Sequence, residues 1–313
     1  MNPRTLIFKL LFCLGLSSTY SQSVNFYSIH HGAFQQKELI FAYWKLDGEE
    51  LPDNAEHTCN YELVESQVEN HRAEIIELVN NYWVLTKKKT ILPYKQALSL
   101  IAGNPERYLL AMYAMGPFQK ENEHYVDPLI AGEFRIISFT RQAFLEKKLL
   151  GTKVVRLFSS AEPSQTDFVY SLLTAQFIIR GVQDERIVRE SAWTQSPEAA
   201  GSRLNTKVLL ISEQAMGQIS HSDIKSLYPF EFKIVSEEKL QKAILERDTR
   251  HLVLYIRKQN DDFTFHPSKM IYDPSDGAIL AYAFPMVGKK YKGSENKLIA
   301  QDLKKFKKNW VAE

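Results

Sequence analysis

From Lys207 to the end, short β-branched runs alternate with N-capped amphipathic stretches. Such alternation leaves a chain little choice but helices layered on a sheet. Lys207–Ser212 (KVLLIS) reads as a buried strand. Ser220 with Asp223 three residues on forms a capping-box pattern that opens a short helix through Leu227, which Tyr228-Pro229 ends. Glu231–Val235 alternates as a strand, and Ser236 followed by Glu237 and Glu238 caps a helix with Leu240, Ala243, Ile244 and Leu245 on one face. His251–Arg257 is the next strand. Phe263 and Phe265 alternate with polar neighbours. Met270–Tyr272 then leads through Asp273-Pro274-Ser275-Asp276-Gly277 into Ala278–Phe284, a hairpin signal because glycine accepts the positive φ that tight turns require. Leu298, Ile299, Leu303, Phe306 and Trp310 form the apolar stripe of a last helix.

These elements predict an α/β fold, with mixed α+β as the variant, and a C-terminal two-layer or three-layer domain in the order β-α-β-α-β-β-α. That layout is similar to the layout of thioredoxin-like domains, but the redox chemistry is missing, since the chain has no Cys-x-x-Cys and no cysteine after residue 205. The first half is less legible. Leu39–Trp44, Tyr108–Met115, Phe134–Thr140 and Lys153–Phe158 read as strands, and Glu62–Trp83 as a long helix. Ser164 and Asp167 cap the apolar segment Phe168–Ile179, read as a helix whose β-branched end also suits a buried strand. A faint repeat links Lys95-Gln96-Ala97, then Arg107-Tyr108-Leu109, with Gln241-Lys242-Ala243, then Arg250-His251-Leu252, and raises an internal duplication. The expected division is a signal peptide over 1–21, an N-terminal α/β region over 22–190, a linker or long loop over 191–205, and a C-terminal α/β domain over 206–313.

Arg4 precedes and Lys9 interrupts an apolar run from Leu6 to Leu16, and Thr19 and Ser21 stand at the small-residue positions for cleavage before Gln22. The expectation is export to the periplasm or the extracellular space. Without residues 1–21 the acidic and basic side chains balance at 37 each. A balanced chain has no global field for nucleic acid, so that partner is not expected. One cysteine, Cys59, then remains, so no intramolecular disulfide forms and stability rests on packing. Another envelope protein is the expected partner. Membrane contact is confined to the basic terminal helix, where Lys297, Lys304, Lys305, Lys307 and Lys308 surround the apolar stripe, though packing on its own sheet explains that stripe more simply.

Neither G-x-G-x-x-G nor G-x-x-x-x-G-K-[ST] occurs, so no nucleotide cofactor is expected. H-E-x-x-H and G-x-S-x-G are missing as well. The most suggestive chemistry is Glu56-His57-Thr58-Cys59, where an extended backbone would place the imidazole of His57 and the thiol of Cys59 on one side. A single cysteine is also an ordinary small core residue. His71 and Glu74, one helical turn apart, have the spacing of an acid/base pair, on a stretch whose other glutamates equally describe a solvated face. His30 and His31 are too few for a metal centre, and no metal is expected. The basic loop Gly288–Gly293 and the His124/Asp127 loop read as solvent-exposed. The function class these observations favour is a non-catalytic binding or assembly module of the cell envelope. The alternative is an exported hydrolase without a local signature, with its site in an inter-domain cleft.

Overall fold

The computed structural model describes residues 23–24, 36–43, 72–115, 132–138, 152–159, 164–186, 196–217, 219–256, 269–283, 297–308 and 310. In chain order the strands and α-helices are β1 (Ser23–Val24), β2 (Glu38–Tyr43), α1 (Arg72–Tyr82), β3 (Lys89–Pro93), α2 (Tyr94–Gly103), β4 (Tyr108–Met115), β5 (Gly132–Ser138) and β6 (Thr152–Ser159). They continue with α3 (Gln165–Gln183), α4 (Pro197–Thr206), β7 (Val208–Ser212), α5 (His221–Leu227), β8 (Phe232–Val235), α6 (Glu237–Leu245), β9 (His251–Ile256), β10 (Lys269–Asp273), β11 (Ala278–Ala283) and α7 (Ala300–Lys307). The strands form two mixed sheets, ordered β1-β6-β5-β4-β2-β3 and β11-β10-β9-β7-β8. The protein is therefore α/β.

The second sheet carries one strand more than the order β-α-β-α-β-β-α, because the hairpin β10–β11 follows β9 instead of including it. β7, β8 and β9 are parallel, and β10 and β11 reverse in turn. Renumbered along the chain, the order is 2-1-3-4-5, the doubly wound arrangement, which replaces the thioredoxin-like layout.

The first sheet, its edge strand β1 aside, repeats this topology element for element. β2, β3 and β4 are parallel, β5 and β6 reverse in turn, and a helix follows the last strand. The register agrees residue by residue. Leu39 lies opposite Leu109 as Leu209 lies opposite Leu252, and β4 and β9 begin at Tyr108 and His251, the residues that the faint sequence repeat aligns. Even the irregularities correspond. β5 shifts register against β6 between Ile136 and Ile137, leaving Val154 unpaired, and β10 shifts against β11 between Ile271 and Tyr272, leaving Leu280 unpaired. In the alignment that matches Leu109 with Leu252, these two shifts fall at the same place. The chain thus contains two copies of one structural unit.

Helix α3 joins the units. It opens with the capping box in which Ser164 accepts from the Asp167 N–H while the Asp167 carboxylate accepts from the Ser164 N–H. Of its residues only Gln165, Asp167, Arg180 and Gln183 are not buried. A helix that is apolar nearly all round must be enclosed, and α3 packs against β6 and α1 of the first unit and against β11 and α6 of the second. Phe168 meets Phe41 on the first sheet, while Tyr170 stacks on Tyr255 at 4.2 Å between ring centres and meets Tyr272 edge-on. Tyr82 of α1 donates across the same seam to the Leu245 carbonyl, and Tyr255 donates to Asp167. One core cluster therefore draws on residues from Leu39 to Phe306, with a smaller one between α2 and the other face of the first sheet.

A buried amide on α3 also explains how α1 ends. Gln176 Oε1 accepts from the Val84 and Leu85 N–H groups at 2.6 and 3.0 Å, and its Nε2 donates to the Tyr82 and Leu172 carbonyls. One side chain thereby pairs the Tyr82 carbonyl and the Val84 and Leu85 N–H groups where α1 ends.

The polar stretch read as a linker contains α4. Ser196 caps it, accepting from the Ala199 N–H; Pro197 occupies the first helical position, and only Ala200 and Leu204 are fully buried. The long helix read over 62–83 is described from Arg72, and residues 62–71 lie outside the described set. The terminal stripe packs as expected, with Leu298, Leu303 and Phe306 buried and Trp310 edge-on to Tyr228 and Phe230.

The turn between β10 and β11 presses on α3. Gly277 has φ +90°, and a Cβ there would overlap the Leu173 carbonyl and the Thr174 nitrogen. Gly277→Ala is expected to cost on the order of 3 kcal/mol, from backbone strain plus displacement of α3. Gly201→Ala, in the interior of α4 with open space at its Cβ, is expected to stabilise by about 0.5–1 kcal/mol. Urea unfolding midpoints of the two variants check both signs.

Candidate functional site

The densest convergence of charged side chains among the described residues lies at the amino ends of the parallel strands of the second sheet. Asp273, the last residue of β10, is fully buried. Its carboxylate accepts from Arg203 Nη1 at 2.7 Å, from Lys207 Nζ at 2.7 and 2.9 Å, and from the Ser275 hydroxyl and N–H at 2.6 and 3.1 Å. Asp276 takes the other side of the same guanidinium at 2.8 and 2.9 Å and also accepts from the Ala278 N–H. Arg247 completes the ring by donating to the Ser275 carbonyl at 2.8 Å. Arg203 reaches the cluster from the last turn of α4, and Lys207 from the residue that precedes β7.

Burial alone would lower the Arg203 pKa, but the hydrogen bonds and charges of Asp276 and Asp273 more than offset it, so the guanidinium stays firmly protonated. Tyr272, beside the cluster and fully buried, is pushed well above its ordinary pKa by desolvation. Two carboxylates face Arg203 and Lys207, and Asp273 accepts from both cations and from Ser275. Such an arrangement clamps the β10–β11 turn to α4. It offers no free base.

The opposite, carboxyl end is where open α/β sheets bind ligands, in the crevice where the strand order reverses. In the second unit the strand order reverses between β7 and β9, whose carboxyl ends are Ser212 and Ile256. Beside Ile256, Lys269, almost fully buried, donates to Asp302 at 2.6 Å, and Asp302 also accepts from the Ile299 N–H at the start of α7. Desolvation pulls the Lys269 pKa down despite the attraction of Asp302. Lys297 donates to the Gln214 carbonyl, and Leu298 bridges to Met216, which ties α7 to the segment after β7.

Of the residues singled out from sequence, His57, Cys59 and His71 lie outside the described residues. Glu74 lies on α1, with its side chain outside the described set. His30, His31, His124, Asp127, His266 and Gly288–Gly293 are also outside it. His221 is exposed on α5 with its ring 4.7 Å from that of Phe232. His251 pairs through Nδ1 with Asp248 Oδ2 at 2.8 Å. Burial works against the Asp248 charge, yet the Arg250 N–H and His251 hold its carboxyl below the ordinary range. Sequence reading missed the Arg203–Asp273–Lys207 cluster, whose partners are some 66 to 73 residues apart along the chain. The only local signal was a pair of aspartates within a five-residue turn. Among the described residues no group of three His, Cys, Asp or Glu side chains is placed to hold a metal, and no helix is long and apolar enough to cross a membrane.

Comparison with protein-family models gives no match, and comparisons with curated proteins and with solved structures likewise match nothing.

Two outcomes follow from these electrostatics. Asp273→Asn leaves Lys207 and Arg203 facing a neutral amide in a desolvated site and is expected to cost about 3 kcal/mol, read by chemical denaturation. Glu38, bridged by Arg107 at 2.7 Å and by Lys88 at 3.1 Å, is held below its ordinary value of 4.5, chiefly by the Arg107 hydrogen bond. A carboxyl depressed in the folded state contributes stability that is complete above its unfolded pKa and is lost as pH falls through the folded one. The melting-temperature advantage of the wild type over Glu38→Gln should therefore be level from pH 7 to about 5 and shrink below 4.5. A constant difference down to pH 3 would show that the bridge contributes nothing.

Proposed function

We propose that the chain is an exported, non-catalytic binding or assembly module of the cell envelope. The observation that carries this reading is the use made of the buried charges that are described. Asp273, Arg203 and Lys207 pair with one another, and Lys269 pairs with Asp302, so these groups hold the framework together instead of turning toward a ligand. The apolar run and the small residues over 1–21 support export. Two units locked together by a shared helix support a rigid body that presents surfaces for assembly.

The test uses residues 22–313 as bait in native envelope extract, with quantified crosslinking, alongside a broad hydrolase panel on the same preparation. The expected result is one saturable protein partner, with the panel silent for the wild type and for Cys59→Ser alike. Hydrolysis that disappears in a folded Cys59→Ser variant would overturn the proposal and establish the thiol hydrolase.

A further inference from the structure

The second unit ends in a helix whose outer side has a distinct chemistry. On α7, Leu303, Phe306 and Asp302 are buried, while Lys304, Lys307 and the C-cap Lys308, spaced at i, i+3 and i+4, are exposed on one side, with Lys297 exposed just before the helix. Asp302, the one acidic residue of α7, is buried and spent on Lys269. Many exposed cations elsewhere have an acid beside them: Lys88 and Arg107 share Glu38, Arg186 meets Asp184, Lys233 meets Glu231, Lys242 meets Glu246, and Arg250 meets Asp248. Among the described residues Lys304, Lys307 and Lys308 form no ion pair, so positive charge collects here on a chain whose total is close to balance.

The repeated architecture shows what this position does once already. α3 and α7 are the same element of the two units. Counted from the N-caps Ser164 and Ile299, Tyr170 and Leu173 of α3 stand where Lys305 and Lys308 stand in α7. At Tyr170 and Leu173 the first unit receives the second: Tyr170 packs on Tyr255 and Tyr272, and the Leu173 backbone carbonyl abuts Gly277. Both positions at which α3 meets the second unit are thus lysines in the second copy, and the exposed Lys304 and Lys307 lie beside them.

We propose that the outer face of α7 is a docking surface for an acidic face of another protein, an inference that rests on the assembly reading above and names the chemistry of its partner. Electrostatic complementarity of this kind sets partner choice and association rate more than raw affinity. A bilayer fits less well. Leu303 and Phe306 are committed to the core and Trp310 to Tyr228 and Phe230, so α7 has no large apolar side chain free to insert, and charge alone is one signal where stable attachment takes two.

The test is zero-length carbodiimide crosslinking, which joins a lysine amine directly to a contacting carboxylate, on residues 22–313 in native envelope extract. The expected result is crosslinks from Lys304, Lys307 or Lys308 to aspartate or glutamate side chains of one protein, competed by excess unlabelled bait and suppressed by salt. Their yield should fall about tenfold in the exposed triple variant Lys304→Gln, Lys307→Gln, Lys308→Gln. It should not change in Lys87→Gln, Lys239→Gln, Lys242→Gln, which removes the same charge elsewhere. A saturable partner crosslinked through other surfaces overturns this inference and leaves the assembly reading standing. No saturable partner overturns both. Capture of phosphatidylglycerol vesicles that depends on the same three lysines, without protein crosslinks, replaces the acidic protein by a membrane and overturns the proposal.

Discussion

A single helix enclosed on nearly every side sets the terms for the rest of this structure. α3 exposes little beyond its ends, so its apolar side chains need a sheet or helix on each flank. Burial of each large apolar side chain is favourable by roughly 1.5–3 kcal/mol, and α3 places Phe168, Val169, Leu172, Leu173, Phe177, Ile178, Ile179 and Val182 in that position. Neither unit alone can enclose it. The first covers the side facing Phe41 and α1, and the second covers the side facing Tyr255, Tyr272 and the β10–β11 turn. That division explains why a turn at the far end of the second sheet needs glycine at 277: the backbone of a helix from the other unit lies against it.

The buried charges follow from the same geometry. The β10–β11 turn must stay pressed on α3 while its own polar groups are withdrawn from water. Asp273 and Asp276 meet this requirement by drawing Arg203 and Lys207 from α4 and its exit, so the helix hidden in a polar stretch of sequence becomes one side of the clamp. A buried carboxylate with two cationic partners is costly to assemble and far costlier to leave unpaired, so such a cluster acts chiefly as a constraint on geometry.

Legibility in the sequence tracked the range of the interaction responsible. The boxes at Ser164/Asp167 and Ser220/Asp223, the Ser236 cap and the turn ending in Gly277 are decided by residues within five positions of one another, and each was readable. α4 was not, because a helix that fully buries only Ala200 and Leu204 has almost no apolar stripe to display. The repeat was visible only as two helix-to-strand junctions. What the units share is strand order, register and the place of a bulge, and these survive while side chains change: Ile137 in one unit corresponds to Tyr272 in the other. The charge clusters were invisible for the opposite reason, since each is a contact across tens of residues between side chains that look ordinary in isolation. Of the candidates drawn from motif spacing, Glu74 falls on a described helix, and the His57/Cys59 pair lies outside the described residues.

The two units also show how one local device takes on different work. The third residue of α3 and the third of α7 are both aspartates that accept the backbone N–H at the start of their helix. In α3 the remaining capacity of Asp167 reaches across the seam to the Tyr255 hydroxyl of the second unit. In α7 Asp302 turns instead to Lys269 within its own unit. A local rule for starting a helix thus sets both acids in place, and the neighbours available decide whether each one joins two units or closes one. The contrast extends along both helices, apolar where α3 meets the second unit and lysine-rich where α7 meets solvent, so the outer side of α7 is free to differ from α3 without disturbing the core that both helices cover.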